Sequence, residues 1–231
     1  MRVGLLLCDH VDEPWQEAYG DYPAMFRALL PKVEWEVFAL CDGHFPPSAN
    51  HCDLWLATGS RRSVYEEEDW IVRLKALVQD IYGAGKKYIG VCFGHQMLAA
   101  AMGGEVRKAA QGWVIGIHTF ELLQEEIWMQ PFQQELKVLM MCQDQVWRLP
   151  PGAQLLGRSP QCPIGFFQMD HQMLGIQGHP EFSRAYNRHL MNSRMDRMGA
   201  ELVEKGLQSL EEDLDHALIA QWILAFMKRP N

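Results

Sequence analysis

The apolar positions of the chain fall into two rhythms. In the first half, unbroken apolar runs of strand length, VGLLLC (3–8), WEVFAL (35–40), CDLWLAT (52–58) and KKYIGVC (86–92), are separated by stretches with helical spacing. Runs without polar alternation are what strands covered on both faces require. The clearest helical stretch puts Trp70, Ile71, Leu74, Leu77, Val78 and Ile81 on one face and stops at Gly83 and Gly85, where glycine serves as helix punctuation. Strand, helix, strand in that order predicts a parallel sheet with crossover helices. After residue 112 the pieces become shorter and β-like: GWVIGIHTFEL, LKVLMMC, AQLLGRS, PIGFFQM and QMLGIQG, divided by Pro, Gly, Asp and Gln. They predict a strand-rich extension of the same sheet. Two helices should close the chain, at about 183–198 and about 211–227, with Ser209 and Glu212 at capping-box spacing before the second. The expected fold class is α/β: a three-layer, mostly parallel open sheet with helices on both faces and a strand-rich extension. No repeat, linker or low-complexity tract marks a boundary, so residues 1–231 are read as a single domain.

One strand-to-helix junction carries candidate chemistry. In GVCFGHQMLAA (90–100) a cysteine stands between two glycines, where an apolar strand reaches the carboxyl edge of the sheet and a small-residue helix begins. Ligands of open α/β sheets bind at that edge. Glycines on both sides allow a sharp turn that brings other chain close, and the helix N-terminus beneath the sulfur favours thiolate. Cys92 is therefore expected to be both exposed and acidic. A nucleophile needs a base. In GIQGHPEFS, His179 also follows an apolar strand and precedes a helix. Glu181, two residues on, would lie on the same side of extended chain and could take the imidazole N–H. Cys92, His179 and Glu181 then form a nucleophile, base and orienter.

Composition narrows the alternatives. The chain is 48% hydrophobic and 22% charged with a formal net charge of -8, an ordinary soluble balance that argues against a nucleic-acid partner. Its one basic cluster, Arg184, Arg188, Arg194 and Arg197, reads as a solvated helix face. No secretory leader pattern and no membrane-length apolar run occurs, so a cytoplasmic protein without a membrane partner is expected. The six cysteines include no Cys-x-x-Cys pair, which leaves neither a zinc ribbon nor a thioredoxin-type site. His95 reads as a packed helix residue, and His171 and His189 as surface. The spacing of His179, Glu181 and His189 fits no standard metal site, and nothing in the chain calls for a metal or cofactor.

Taken together, GVCFGHQMLAAAMGGEV and GIQGHPEF resemble the signatures of the class I glutamine amidotransferases, the triad-type family that includes the glutaminase domain of GMP synthetase. ATGSRRSVYEEEDWIVRL resembles the family's glycine turn before the nucleophile, and QDQVWRLPPGAQLLGRSPQCPIGFF the segment between cysteine and histidine. The resemblance implies a flavodoxin-like fold and hydrolysis of the side-chain amide of glutamine through a γ-glutamyl thioester on Cys92, with His179 passing a proton to the departing ammonia. It also implies an oxyanion hole from the Gly59 and Phe93 N–H groups, and a substrate pocket with Gln96, Gln143, Asp144 and Val146. Cys142 departs from the pattern, standing where many relatives carry histidine. Because the chain has no ATP-binding loop, a synthetase using the ammonia would be a separate subunit. Stand-alone γ-glutamyl peptidases, which cleave glutathione-like compounds, also resemble the chain, and CDHVDEPWQEAYGDYPAMF is closer to those. A non-catalytic regulatory module is the alternative of another class. A thiol enzyme of the α/β-hydrolase type is disfavoured because its acid normally precedes the histidine by a long interval.

Overall fold

The computed structural model describes residues 1–229. Its larger sheet has nine strands. β1 (Val3–Leu7), β2 (Trp35–Ala39), β3 (Leu54–Ala57) and β4 (Lys87–Val91) come from the first half of the chain; β6 (Val114–Leu122), β7 (Glu135–Cys142), β9 (Gln154–Ser159), β10 (Cys162–Met169) and β11 (Met173–Ile176) come from the second. A separate antiparallel pair, β5 (Glu105–Lys108) with β8 (Asp144–Arg148), was not anticipated. The strand order in the large sheet is β2-β1-β3-β4-β11-β10-β9-β6-β7. The pairings from β2 to β11 are parallel and those from β11 to β7 antiparallel.

β11 is the strand that makes the site. It is last in the chain order, yet it leaves the antiparallel extension and pairs with β4, Ile176 opposite Val91. The ends of these two strands therefore deliver Cys92 and His179 to neighbouring places on one edge.

Both faces are covered, which explains the unbroken apolar runs: every residue of β1, β3 and β4 is buried. On one face α3 (Asp69–Gly83) and α4 (Phe93–Ala101) pack through Ile71, Leu74, Val78, Met97 and Leu98. On the other lie α2 (Tyr22–Leu29), α5 (Arg184–Ser193), α7 (Ala200–Ser209) and α8 (His216–Lys228), through Phe26, Tyr186, Val203 and Ile223. Fully burying one such leucine or phenylalanine contributes about 1.5–3 kcal/mol. Lys87 is buried at the start of β4, and its ammonium donates to the Phe226 (2.8 Å) and Met227 (3.3 Å) carbonyls at the end of α8, where a cation complements the helix dipole. The remaining helices are short: α1 (Glu13–Tyr19) and α6 (Met195–Met198) bury no residue.

The closing helices differ from expectation. The helix expected over 183–198 is broken at Arg194 into α5 and α6, although Ser183 does cap it, accepting from the Tyr186 N–H. Ser209 is not a cap of α8: it is the last residue of α7, where its hydroxyl donates to Gly206 O (2.6 Å) and accepts from the Ile117 N–H (2.8 Å). Among the described residues, no helix is long and apolar enough to cross a membrane.

Candidate active site

Cys92 ends the β4 turn and starts α4 with a backbone at φ 50°, ψ -100°, a combination rare for any residue with a side chain. The neighbouring chain holds it there. The Cys92 N–H donates to Ile176 O at the end of β11 (2.8 Å), the Gly94 N–H donates to Thr58 O beyond β3 (3.2 Å), and the Tyr88 hydroxyl donates to Gly94 O (3.0 Å). Glycine is required on both sides. A Cβ on Gly90 would overlap the Gly94 carbonyl, and one on Gly94 would stand 2.6 Å from the Ala57 oxygen.

His179 lies three residues past β11, and its N–H donates to Leu139 O of β7 (2.8 Å). Its Nδ1 is 2.8 Å from Glu181 Oε1, and its ring stacks on Phe182 at 3.9 Å. The Phe182 N–H returns to His179 O (3.3 Å), so the Glu181 contact spans a turn rather than extended chain. With Nδ1 on the carboxylate, the other ring nitrogen is left for the Cys92 thiol, whose charge acts on the imidazole. Gly59 closes the group: a Cβ there would stand 2.9 Å from His179 Cε1 and 3.7 Å from Cys92 Cβ. Among the described residues, the Gly59 and Phe93 N–H groups have no protein acceptor.

The expected exposed, acidic thiol is corrected by the structure. Cys92 is 4% exposed, and burial pushes its pKa up despite the opposing pull of His179. Burial also works against the imidazolium, but the Cys92 sulfur and then Glu181 outweigh it and raise the His179 pKa to about 10. The charge on each of these two groups thus acts on the titration of the other. No histidine pulls the other thiols down. Burial pushes Cys52 to about 11 and Cys41 and Cys162 to about 12, with Cys8 and Cys142 also raised.

The other histidines divide. His95 is fully buried edge-on to Phe167, and burial lowers its pKa to about 3, so it is a packed helix residue. His171 is exposed. His189, expected at the surface, instead packs between Trp15 (4.2 Å) and Tyr19 (5.1 Å) beside the cleft. His10 lies near Cys41 and Asp42, but its ring nitrogens are engaged by Asp21 (2.6 Å) and Asp42 (3.1 Å).

Two cavities meet at Cys92. The larger, about 380 Å³, is walled by Gln96, Cys142, Gln143, Asp144 and several basic side chains. The smaller, about 80 Å³, lies between the loop after β1 and the start of α5 and is lined by Asp9, Trp15, Tyr22, Phe182 and His189. Of the expected pocket residues, Gln143 faces the larger lobe without a side-chain bond to protein. Gln96 also faces it, but its amide nitrogen is committed to Asp144 O (2.7 Å) and Gln177 Oε1 (3.1 Å). The Asp144 carboxylate is held by the Ser63 and Tyr65 hydroxyls. Val146 is a correction: it is buried in the hydrophobic cluster on the α3–α4 face and does not line this space. Arg194 and Arg197, expected on a solvated face, turn toward the larger lobe, whereas Arg184 and Arg188 engage Leu210 O and Glu211. A recess of about 1240 Å³ beside Lys137, Arg158 and Asp215 shares no residue with this cleft.

A cysteine on a strained strand-to-helix turn thus stands beside a histidine whose Nδ1 meets a glutamate. The profile of the glutamine amidotransferase class-I family matches residues 63–196, and the chain belongs to that family. It is 30% identical over 206 residues to γ-glutamyl peptidase 5 of Arabidopsis thaliana, covering 85% of this chain and 80% of that protein. It is also 30% identical over 142 residues to a glutamine-hydrolysing GMP synthase of Aeropyrum pernix, covering 58% of this chain and 28% of the synthase. A glutamine amidotransferase of Thermotoga maritima has the same fold, with a TM-score of 0.78 at 19% identity over 99% of this chain and all of that one.

Proposed function

We propose that the chain hydrolyses the γ-glutamyl bond of small γ-glutamyl peptides, with Cys92 as nucleophile, His179 as acid and base, and Glu181 as orienter. One observation carries the choice of substrate: the thiol stands where two lobes meet, not at the end of one. Glutamine loses ammonia, which needs no second lobe, whereas a peptide needs room on both sides of the scissile bond. Gln96, Gln143 and Asp144 line the larger lobe, which supports giving it to the γ-glutamyl half. The similarity to a γ-glutamyl peptidase over most of both chains supports the same reading.

The chemistry follows from the pair. The Cys92 proton passes to His179 as sulfur attacks the γ-carbonyl carbon, and the Gly59 and Phe93 N–H groups meet the developing oxyanion. The imidazolium then protonates the departing amine, leaving a thioester. Acylation removes the negative sulfur, the largest influence that raises the His179 pKa. The imidazole is therefore freed to take a proton from the water that releases glutamate.

The test is glutamate release from glutathione and from glutamine by the purified chain. Turnover of glutathione well above that of glutamine is expected; turnover of glutamine alone would overturn the peptide reading. A second reading, a glutaminase feeding a separate synthetase subunit, draws on the similarity to the GMP synthase. It predicts glutamine turnover that rises when the partner is present.

A further inference from the structure

Two guanidinium groups border both lobes beside Cys92, those of Arg61 and Arg194. They are not equivalent. Arg61 is neutralised within the protein: its Nε lies 2.9 Å from Asp9 and its Nη1 2.8 Å from Asp12, and Nη2 donates to His10 O (2.7 Å). Arg194, at the break between α5 and α6, is half-buried; among the described residues it has no carboxylate or hydrogen-bonded side-chain partner, and the uncharged Tyr186 phenol is the side chain on which its charge acts. A guanidinium withdrawn from water is ordinarily paired, and its planar fork matches a carboxylate.

A γ-glutamyl peptide offers two carboxylates, one on each side of the bond to be cut. The larger lobe has further cations for the glutamyl one, Lys108 and Arg197. In the smaller lobe Asp9 and Asp12 are already satisfied by Arg61, which leaves Arg194 as the unpaired arginine. We propose that Arg194 binds the carboxylate of the departing amino acid or peptide and so selects γ-glutamyl peptides over glutamine and neutral γ-glutamyl amides. This rests on the γ-glutamyl hydrolase reading above and assigns the substrate class within it.

The experiment compares kcat/KM for γ-glutamylglycine and γ-glutamylglycinamide, which differ only in the carboxylate of the leaving group. The wild-type protein should prefer the acid by about 10–100-fold, the range of a charged hydrogen-bonded contact. In Arg194→Gln this preference should collapse toward one, mainly through KM of the acid, and Arg194→Lys should keep part of it. A preference that survives Arg194→Gln unchanged, or is missing from the wild-type protein, overturns the assignment while leaving γ-glutamyl hydrolysis intact. Failure of the wild-type protein to cleave either compound overturns both. Because each variant is read as a ratio between two substrates, partial loss of folded protein does not alter the result.

Discussion

At the carboxyl edge of the sheet His179 is 2% exposed, and in the interior one helical turn past the thiol His95 is 0% exposed. Burial alone would drive both to the neutral form. His95 obeys, with a pKa lowered to about 3, because its neighbours are Phe167 and the Gly175 backbone. His179 goes the other way, to about 10, because Cys92 and Glu181 stand against it. The edge of the sheet is thus as dry as the core but supplied with opposite charge. That difference separates a packing histidine from one that can hold and return a proton.

Removing the partner tests the contrast most severely. Cys92→Ala and His179→Ala should each lower turnover by at least about 10⁴-fold, as in other triads, with circular dichroism unchanged. Glu181→Gln keeps the shape but weakens the orienting contact. It should cost about 100-fold less than His179→Ala in kcat, and an equal loss would mean that Glu181 does more than orient. Gly59→Ala pushes a methyl group too close to His179 Cε1, while meeting Cys92 Cβ only at ordinary contact distance. A displacement of that size should cost on the order of 10–10² in kcat, read at constant thermal stability.

The smallest effect belongs to the core histidine and is one of stability. The folded pKa of His95 lies below its unfolded value, so the unfolded chain binds the extra proton and stability is lost as pH falls from about 6.5 toward 3. By pH 4 His95 should account for on the order of 3 kcal/mol of that loss, and His216, lowered to about 4 by burial, adds in the same direction. Urea midpoints measured against pH should show a shallower acid decline in His95→Asn. An unchanged slope would contradict the neutral, partnerless reading of this ring.

The parts of this contrast that were legible in the sequence are the local ones. Gly90, Cys92 and Gly94 encode their turn in five residues, and His179 and Glu181 are two apart, so both halves of the site could be read without the fold. Their meeting depends on β11 returning to pair with β4, which the apolar run at 172–178 does not announce. Arg194 looked solvated because helical periodicity assumed one continuous helix through 183–198; the break at that residue redirects its side chain. α7 is not legible in the sequence because Gly206 interrupts a weak apolar stripe, yet that glycine is buried against Ile115 and Met191. Val146 could not be separated from Gln143 and Asp144 by sequence alone, since neighbours on a short strand can face opposite environments. The depressed exposure of Cys92 likewise depends on loops distant in sequence.

The central claim is that the acyl group passes through Cys92. It is tested most directly by quenching the wild-type protein with acid during its first turnover of a γ-glutamyl peptide and weighing the fragments by mass spectrometry. The account predicts one added γ-glutamyl group, carried by the peptide that contains Cys92 and absent from Cys92→Ala. Release of glutamate at the wild-type rate by Cys92→Ala, or an adduct on another side chain, would contradict it.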